Sequence, residues 1–470
     1  MCDLDKSDNP VNPRRPGPIQ VAQLDLDGPE GAVLAFGPAL RDGSADGEDI
    51  KGGDVYALVR LRGRPVATVV CRVPPGEDPA DAVAAEARAV LARTPHPVSA
   101  PGPGPSAETG GSANGSATEV TDAAEVTEAT DRTAPPPRTS VVVATRERAD
   151  QLARALDSLL AQDHPDFEIV VVDNAPRTGA TRELVEGAYG GRVRLVREDV
   201  PGLAVAHNRG VAAADGEIVA FTDDDVVADP HWLTALTEPF AADPGLGCTT
   251  GLILPARLGT PAQILLESHG GFAKGFAPKT YDPARPPADE PLFPFTAGSF
   301  GSGANMAFRA RALRDAGGFD PATGTGTPAR GGDDLYAFVS VLAAGHRLRY
   351  TPEALVWHHH RETWQDLRNQ AYGYGAGLTA YLTALLVRRP ALLPSLLRKL
   401  PRGLAHARTI TAHRDSAGGA VPGAHGAQDY PWPRSLSRLE RRGMLAGPLG
   451  YARARSRVRG VRPPWHGRAE

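Results

Sequence analysis

Three consecutive aspartates, Asp223-Asp224-Asp225, follow an apolar run that has the length and β-branched content of a buried strand. Three carboxylates held in one short turn repel one another unless a cation or hydrogen bonds compensate their charge. Oxygen-rich sites of this kind bind hard divalent cations such as Mg²⁺ or Mn²⁺. A solvated acidic turn in front of a helix has the same composition, so the triplet alone leaves both interpretations open.

A second acidic pair, Asp333-Asp334, opens a helix predicted over residues 335–344. A carboxylate placed beside a substrate can act as a general base, but the helix dipole also favours acids in the first turn. Further along, His358 begins a run of three histidines after a predicted strand. Its imidazole could reach a metal or a diphosphate, and three histidines in a hydrated loop are the alternative.

The elements that must position these side chains alternate between strand and helix patterns. Near-continuous apolar runs predict buried strands at residues 139–144, 167–172 and 218–221, and helical spacing appears between them at 149–161 and 203–214. This order predicts a parallel sheet with right-handed crossovers. Ligands bind such sheets at the carboxyl ends of the strands. We therefore expect Thr145, Arg146 and Asp173 to share one crevice with the aspartate triplet.

The composition narrows the class of protein. The net charge of −4 gives no indication of nucleic-acid binding. Three scattered cysteines are too few for a disulfide framework, which fits a reducing cytoplasm. The N-terminus lacks the pattern of a signal peptide, and no apolar run is long enough to span a membrane. We expect a cytoplasmic protein that is soluble or peripheral at the inner face of the membrane.

Composition also divides the chain into segments. We expect a disordered start (1–17), a small α+β module (18–93), a disordered linker (94–137), an α/β domain (138–360), C-terminal helices (361–416) and a basic tail (417–470). The C-terminal region combines apolar helix faces with Arg and Lys, which suits an anionic membrane surface and a lipid-linked acceptor. A basic helix that covers its own domain, or a disordered arm, would have the same composition.

Several motifs occur in a fixed order over residues 138–375. They are Val-Val-Val-Ala-Thr-Arg, Val-Val-Asp-Asn, Gly-Leu-Ala-Val-Ala-His-Asn-Arg-Gly, Phe-Thr-Asp-Asp-Asp, Gly-Ala-Asn-Met-Ala-Phe-Arg, Gly-Gly-Phe-Asp and Gly-Asp-Asp-Leu. As an ordered set they resemble the family 2 glycosyltransferases. That family comprises inverting enzymes with the Rossmann-like GT-A fold that use nucleotide-diphosphate sugars. The resemblance does not extend to residues 1–137.

The resemblance implies roles for four residues in holding the nucleotide. Thr145, Arg146 and Asp173 match the nucleoside-binding positions, and a carboxylate at a strand end can accept hydrogen bonds from a base or ribose. Asn208 would line the adjacent nucleotide loop. A surface position on a helix is the alternative for Asn208.

The aspartate triplet matches the DxD-type motif of the family, which holds Mg²⁺ or Mn²⁺ on the donor diphosphate. Because all three positions are Asp, the register is ambiguous. Asp225 is our first choice as metal ligand and Asp224 the second, with Asp223 facing the ribose or the metal's water ligands. His358 would add an imidazole ligand. A bound cation would offset the charge that develops on the leaving group.

The resemblance also implies the acceptor side of the site. The family usually has Glu-Asp where this chain has Asp333-Asp334, and the second residue is the base that takes the acceptor proton. Asp334 is therefore the predicted catalytic base, and Asp333 the predicted acceptor-binding group. Asn305, in a Gly-rich segment, is the predicted polar contact in the sugar or acceptor pocket.

The sequence thus predicts an inverting, metal-dependent glycosyltransferase. Its acceptor would be a hydroxyl of a polysaccharide, a glycolipid or a secondary metabolite. Nucleotidyl transfer to a sugar phosphate is a second possibility, but residues 144–148 lack the Gly-rich loop expected after the first strand. A non-catalytic carbohydrate- or nucleotide-binding module is a third, and the presence of both acidic motifs argues against it.

Overall fold

The computed structural model describes residues 18–28, 31–36, 53–93, 136–399, 401, 432–461 and 463–467. The disorder predicted for residues 1–17 lies outside the described residues, as does most of the predicted linker. Within the described parts the chain has a mixed α/β architecture. The elements form one small sheet and one large sheet, each with helices packed against it.

The N-terminal module is a four-stranded sheet with one helix. Its elements are β1 (Gln20–Asp25), β2 (Val33–Phe36), β3 (Gly53–Leu61), β4 (Arg64–Val73) and α1 (Pro79–Arg93). The strand order is β2-β1-β3-β4. Alternate residues of β3 face opposite sides, as the pleat requires. Val55, Ala57 and Val59 pack against α1, whereas Tyr56 and Leu58 pack against the large sheet, so the module docks on the rest of the protein through its open face.

The large sheet follows an α/β order through its first half. Its elements are β5 (Thr139–Thr145), α2 (Ala149–Leu160), β6 (Phe167–Asn174), α3 (Ala180–Ala188), β7 (Val193–Glu198), α4 (Leu203–Ala213) and β8 (Ile218–Asp223). The four strands pair in parallel in the order β8-β5-β6-β7. Their Val and Ile side chains are buried on both faces by helices, which explains the continuous apolar runs.

The second half of the sheet is less regular. It contains β9 (Val226–Ala228), α5 (Trp232–Ala242), β10 (Leu246–Pro255), α6 (Pro261–Gly270), β11 (Lys279–Tyr281), β12 (Asn305–Arg309), α7 (Ala310–Asp315), α8 (Asp333–Ala343) and β13 (Arg347–His358). β12 runs antiparallel between β8 and β10, and β13 pairs in parallel with β10. Consequently β13 also ends at the edge of the sheet where the first four strands end.

Two long helices complete the described chain, α9 (Trp364–Arg388) and α10 (Arg434–Arg457). The predicted boundary at residue 416 therefore does not separate helices from a tail, because α10 lies beyond it. α10 contains three glycines and a proline, residues with low helix propensity, and it is stabilised by packing along α9. A Cβ atom at Gly443 would lie 2.2 Å from the backbone oxygen of Tyr372, so glycine permits this close approach.

Among the described residues, no helix is both long enough and apolar enough to cross a membrane.

Candidate active site

The carboxyl ends of four strands bring part of the predicted site residues to one crevice. Thr145 ends β5, Asn174 ends β6, Asp223 ends β8 and His358 ends β13. A cleft of about 270 Å³ opens between them. It is lined by Ala144, Thr145, Arg146, Arg148, Asn174, Leu203, Ala206, Asp223, Asp224, Asp225, Thr325, Gly326, His358 and Arg361. Of the predicted site residues, Thr145, Arg146, the aspartate triplet and His358 line this cleft, whereas Asp173 and Asp334 are not among its lining residues.

Asp224, the middle residue of the triplet, lines the cleft and is bound by two neighbouring side chains. Its carboxylate accepts hydrogen bonds from the Thr145 hydroxyl at 2.7 Å and from Arg148 Nη1 at 2.9 Å. Both oxygens are therefore engaged by side chains of the β5 end and the loop after it. The sequence predicts Thr145 as a nucleoside contact and Asp224 as the second choice of metal ligand. In the structure these two side chains are hydrogen-bonded to each other. We leave Asp224 out of the proposed cation site.

Asp223 and Asp225, the outer residues of the triplet, lie close to His358. One ligand atom from each of the three lies within 4.8 Å of the other two. The distance from Asp225 Oδ1 to His358 Nε2 is 3.4 Å. Arg148 Nη1 and Arg361 Nη2 lie 3.1 and 3.6 Å from the other oxygen, Asp225 Oδ2. Two carboxylates and an imidazole converging at this spacing fit a divalent cation of the Mn²⁺ or Mg²⁺ type.

The pKa values of the three side chains in this cluster are shifted by burial and by neighbouring charges. Burial raises the pKa of Asp223 well above its usual range, and the neighbouring charges of Asp225 and Asp224 add to the shift. Burial alone would also raise the pKa of Asp225, but the charges of Arg361 and Arg148 and a hydrogen bond from Arg148 reverse this and hold it low. Burial lowers the pKa of His358 to about 4, so its imidazole is neutral at pH 7, as a metal ligand must be.

Asp173 lies one residue before the end of β6 and is only 5% exposed. Burial raises its pKa, the charge of Glu147 adds to the shift, and a hydrogen bond from Thr181 opposes both. Among the described side chains, its Oδ1 is a buried acceptor without a hydrogen-bond partner. A buried acceptor left unpaired is costly, and an N–H or O–H donor of a ligand would satisfy it. Arg146 lines the cleft nearby.

Asp334 is held in place by two backbone N–H groups. Gly303 donates to Oδ2 at 3.0 Å, and Leu335 donates to Oδ1 at 2.8 Å. The residue before the acidic pair, Gly332, has a φ of +86°, which lets the chain turn sharply into α8. Burial raises the pKa of Asp334 to about 6, with a further rise from Asp333, although the two backbone hydrogen bonds oppose it.

Asp333 is buried beside a histidine that the sequence analysis did not select. Asp333 Oδ2 lies 3.3 Å from His207 Nδ1, and the His207 ring packs between Phe221 and Phe319. At 5% exposure Asp333 has little surface to offer an acceptor. We therefore assign it to supporting the start of α8, in place of the predicted acceptor contact.

Two predicted asparagines brace the fold. Asn208 donates to the backbone oxygen of Phe319 at 2.8 Å and accepts from the N–H of the same residue at 3.0 Å. Asn305 accepts from Trp232 Nε1 at 2.9 Å and donates to the backbone oxygens of Leu252 and Ala354. These contacts occupy the amides, so we leave Asn208 out of the nucleotide site and Asn305 out of the sugar or acceptor pocket.

Two arginines that the sequence analysis missed, Arg148 and Arg361, line the cleft and contact Asp225. The segment 145–148 contains two arginines, and only the three-dimensional structure shows that Arg148 is the one that contacts the triplet. The sequence signal for Arg361 was its position directly after the three histidines, of which the first, His358, is a candidate metal ligand.

Comparison with known proteins connects this geometry to a family. The family model described as "Glycosyltransferase like family 2" matches residues 136–372, which is half of the chain. The matched region contains the large sheet and the whole cleft. Together with the mixed α/β architecture, this match confirms the fold class predicted from the sequence, the GT-A type.

Two curated relatives are similar over part of the chain. A pre-mycofactocin glycosyltransferase of Mycobacterium tuberculosis is 29% identical over 256 residues, covering 53% of this chain and 48% of the relative. A glucosyl-dolichyl phosphate glucuronosyltransferase of Haloferax volcanii is 27% identical over 123 residues, covering 25% of this chain and 39% of the relative. This chain thus spans about half the length, or less, of these relatives.

Among solved structures, a mannosyltransferase from Pyrobaculum calidifontis in complex with GDP-Man and Mn²⁺ is similar. It aligns with a TM-score of 0.41 at 21% identity, covering 72% of this chain and 91% of that chain. A superposition this loose carries no argument about how the present chain binds a donor or a metal.

Proposed function

This chain belongs to the family of glycosyltransferase family 2-like proteins, and we propose that it transfers a sugar from a nucleotide-diphosphate donor to an acceptor hydroxyl. We further propose that the transfer inverts the anomeric centre and depends on a divalent cation. The observation that carries this proposal is the cluster of Asp223, Asp225 and His358 in the cleft. Asp223 in the cluster experiences the charges of both Asp333 and Asp334.

The donor side of the reaction rests on the cluster and the arginines around it. Asp223, Asp225 and His358 would hold the cation, which when bound neutralises charge on the departing diphosphate. Arg361, with 44% of its side chain exposed, lines the same cleft and is free to turn toward a phosphate oxygen. We propose that Asp173, which precedes the cleft-lining Asn174, accepts a hydrogen bond from the nucleoside through its unpaired Oδ1. Because Oδ1 is buried, this contact requires a local movement when the nucleotide binds.

The choice between Mn²⁺ and Mg²⁺ follows from the ligand types. Mg²⁺ is bound almost entirely by oxygen, whereas Mn²⁺, a transition metal that also takes oxygen ligands, accepts an imidazole more readily than Mg²⁺ does. Because His358 supplies a neutral imidazole to the cluster, we propose Mn²⁺ as the preferred cation, with Mg²⁺ as a weaker substitute.

The acceptor side rests on Asp334. Inverting transfer needs one base that takes the proton of the acceptor hydroxyl as that oxygen attacks the sugar. Asp334 is oriented by the N–H groups of Gly303 and Leu335, and its raised pKa brings it closer to the value of an effective base at neutral pH. The contact between His207 and Asp333 supports the start of its helix, α8.

A first prediction tests the proposed reaction with a panel of nucleoside diphosphates. We expect one of them to raise the thermal unfolding midpoint only when MnCl₂ is present, because the diphosphate and the cation bind together in the cleft. The matching nucleotide sugar should then release free nucleoside diphosphate in the presence of an acceptor. Exchange of pyrophosphate would instead show nucleotidyl transfer, and binding without turnover would show a non-catalytic module.

The location of the acceptor is a separate proposal, based on the solvent-facing side of α10. Leu445 and Leu449, one turn apart, are 85% and 55% exposed, and Arg441, Arg442 and Arg453 are exposed near them. Exposed leucines beside arginines match the chemistry of an anionic phospholipid surface. We propose that α10 rests on such a surface and brings the cleft to a lipid-linked acceptor.

A second prediction tests this surface with liposome flotation. The double variant Leu445→Gln/Leu449→Gln should bind vesicles containing anionic phospholipid at least about tenfold more weakly than the unmodified protein, since two apolar side chains no longer insert. Leu61→Gln, at an exposed leucine of the N-terminal module, serves as the control. Equal flotation of all three proteins would remove the proposal.

A further inference from the structure

A chain of buried polar side chains runs from the candidate cation site into the protein. His358 Nδ1 lies 3.0 Å from His360 Nδ1, and His360 Nε2 lies 3.0 Å from Glu267 Oε2. The three side chains belong to the end of β13, the residues after it, and α6. Glu267 and His360 are 4% and 2% exposed, and Phe272 packs against both histidine rings.

The chemistry of these groups limits where the protons lie. A carboxylate only accepts hydrogen bonds, so Glu267 requires a proton on His360 Nε2. In a neutral imidazole the other nitrogen is then an acceptor, and His360 Nδ1 must receive a proton from His358 Nδ1. His358 Nε2 is left without a proton, and its lone pair points toward Asp225, whose Oδ1 is 3.4 Å away.

A lone pair facing a carboxylate oxygen is unfavourable unless a cation lies between them. That arrangement is what a metal ligand needs, because the hydrogen bond made by one ring nitrogen decides whether the other can bind metal. The same distances could also be met with two protons on His360 and a proton on His358 Nε2, which would exclude a cation. The two arrangements differ in a property that can be measured directly.

We propose that Glu267 and His360 are positioning residues that fix His358 as the Nδ1–H tautomer and hold its Nε2 ready for the cation. This inference rests on the proposed function, in which Asp223, Asp225 and His358 bind the metal. It goes further by assigning a purpose to two buried residues outside the cleft. Neither of them lines the cleft or contacts the two aspartates of the cluster.

The N-terminal module covers Glu267, the residue of this polar row that lies farthest from the cation site. The hydroxyl of Tyr56 in β3 lies 3.5 Å from Glu267 Oε1, and Tyr56 is 1% exposed. Around it, Ile19, Val21 and Leu58 of the module pack against Leu355 and Trp357 of β13. The module thus keeps water away from Glu267 and supplies a donor to its second oxygen. Residues 18–93 thereby contribute to the environment of the cation site without entering the cleft.

The third prediction tests this assignment with Glu267→Gln, which keeps the volume but can both donate and accept. We expect the affinity for MnCl₂, measured from the EPR signal of free Mn²⁺, to fall about 10- to 100-fold, the range typical of partners that orient metal ligands. His360→Phe, which removes the acceptor for His358 Nδ1–H, should act in the same direction. Ser268→Ala is the matched control, because it removes a buried hydrogen bond to Ile264 from the same helix.

A second measurement reads the tautomer itself. In the metal-free protein, long-range ¹H–¹⁵N correlation of the histidine side chains should show His358 protonated on Nδ1, with the signal assigned by its loss in His358→Gln. In Glu267→Gln this preference should weaken, while the metal-free unfolding midpoint shows whether the variant remains folded. A proton on Nε2 of His358 in the unmodified protein would overturn the inference.

The metal titration also separates failure of this inference from failure of the proposed function. If Asp225→Asn binds Mn²⁺ as tightly as the unmodified protein, the proposed cation site is wrong. If Asp225→Asn loses Mn²⁺ but Glu267→Gln keeps it at full affinity, only the positioning role is wrong.

Discussion

Replacing Asp334 with asparagine is expected to abolish sugar transfer and to leave nucleotide and Mn²⁺ binding intact. The substitution keeps the size of the side chain, but an amide cannot take a proton from the acceptor hydroxyl. A positioned general base contributes about 10²- to 10⁴-fold to a rate, and a loss in kcat of that order is expected here. The two backbone N–H groups that hold Asp334 would retain only one good acceptor.

The measurement is single-turnover transfer with a saturating donor, together with thermal stabilisation by nucleoside diphosphate and MnCl₂. The control is Asp315→Asn, an exposed acid of α7 that pairs with Arg311 on the same helix. If Asp334→Asn lost nucleotide binding as severely as transfer, Asp334 would belong to the donor site and the assignment as base would fall.

The same residue predicts a pH dependence. Burial raises the pKa of Asp334 to about 6, so the base is protonated and inactive below that pH and ionised above it. Activity should rise about tenfold per pH unit below the pKa and level off above it. The sign for stability is opposite, because a carboxyl group with a raised pKa in the folded state stabilises the fold at low pH. That contribution is lost as the pH rises through the folded pKa.

The sequence predicted three parallel strands of the large sheet, at 139–144, 167–172 and 218–221, because each of them is an apolar run. Buried parallel strands must be apolar on both faces, and each such run ends in the polar residues of the cleft. The separation of the site into a metal motif and an acidic pair could be predicted for the same reason. Both motifs are short, and each is fixed by one strand or one helix start.

The register of the triplet could not be predicted, because three identical residues give no signal of direction. What distinguishes them is which neighbours each one meets. Asp224 accepts hydrogen bonds from both Thr145 and Arg148. Asp225 shares Arg148 with it, but only Asp223 and Asp225 form the cluster with His358 at the end of β13. Such contacts depend on how β8 and β13 are placed, which no local pattern encodes.

The roles of the asparagines and of the buried supporting residues also could not be predicted from the sequence. An amide that donates and accepts is equally suited to a ligand or to an internal brace, and Asn305 braces three separate segments of backbone. The role of Glu267 could not be predicted for a different reason. It lies 93 positions before His360 in the chain, within a helix whose other residues are ordinary core residues.

Asp225 should be the aspartate of the triplet on which the cation depends. Asp225→Asn removes the charge that faces His358 Nε2 at 3.4 Å, and we expect it to lower Mn²⁺ affinity by at least about 100-fold, because losing a direct ligand should cost no less than losing an outer partner. Transfer should fall with it, since the diphosphate charge is no longer offset.

Asp224→Asn is the matched control, because it makes the same change of charge in the same turn. Its carboxylate is bound by Thr145 and Arg148 and is not one of the three residues of the cluster, so the loss of Mn²⁺ affinity should stay below about tenfold, in the range of a weakened supporting contact. Isothermal titration with MnCl₂ compares the two variants directly. If Asp224→Asn proved the more damaging change, the triplet would bind metal through its middle residue, and the cluster of Asp223, Asp225 and His358 would not be the cation site.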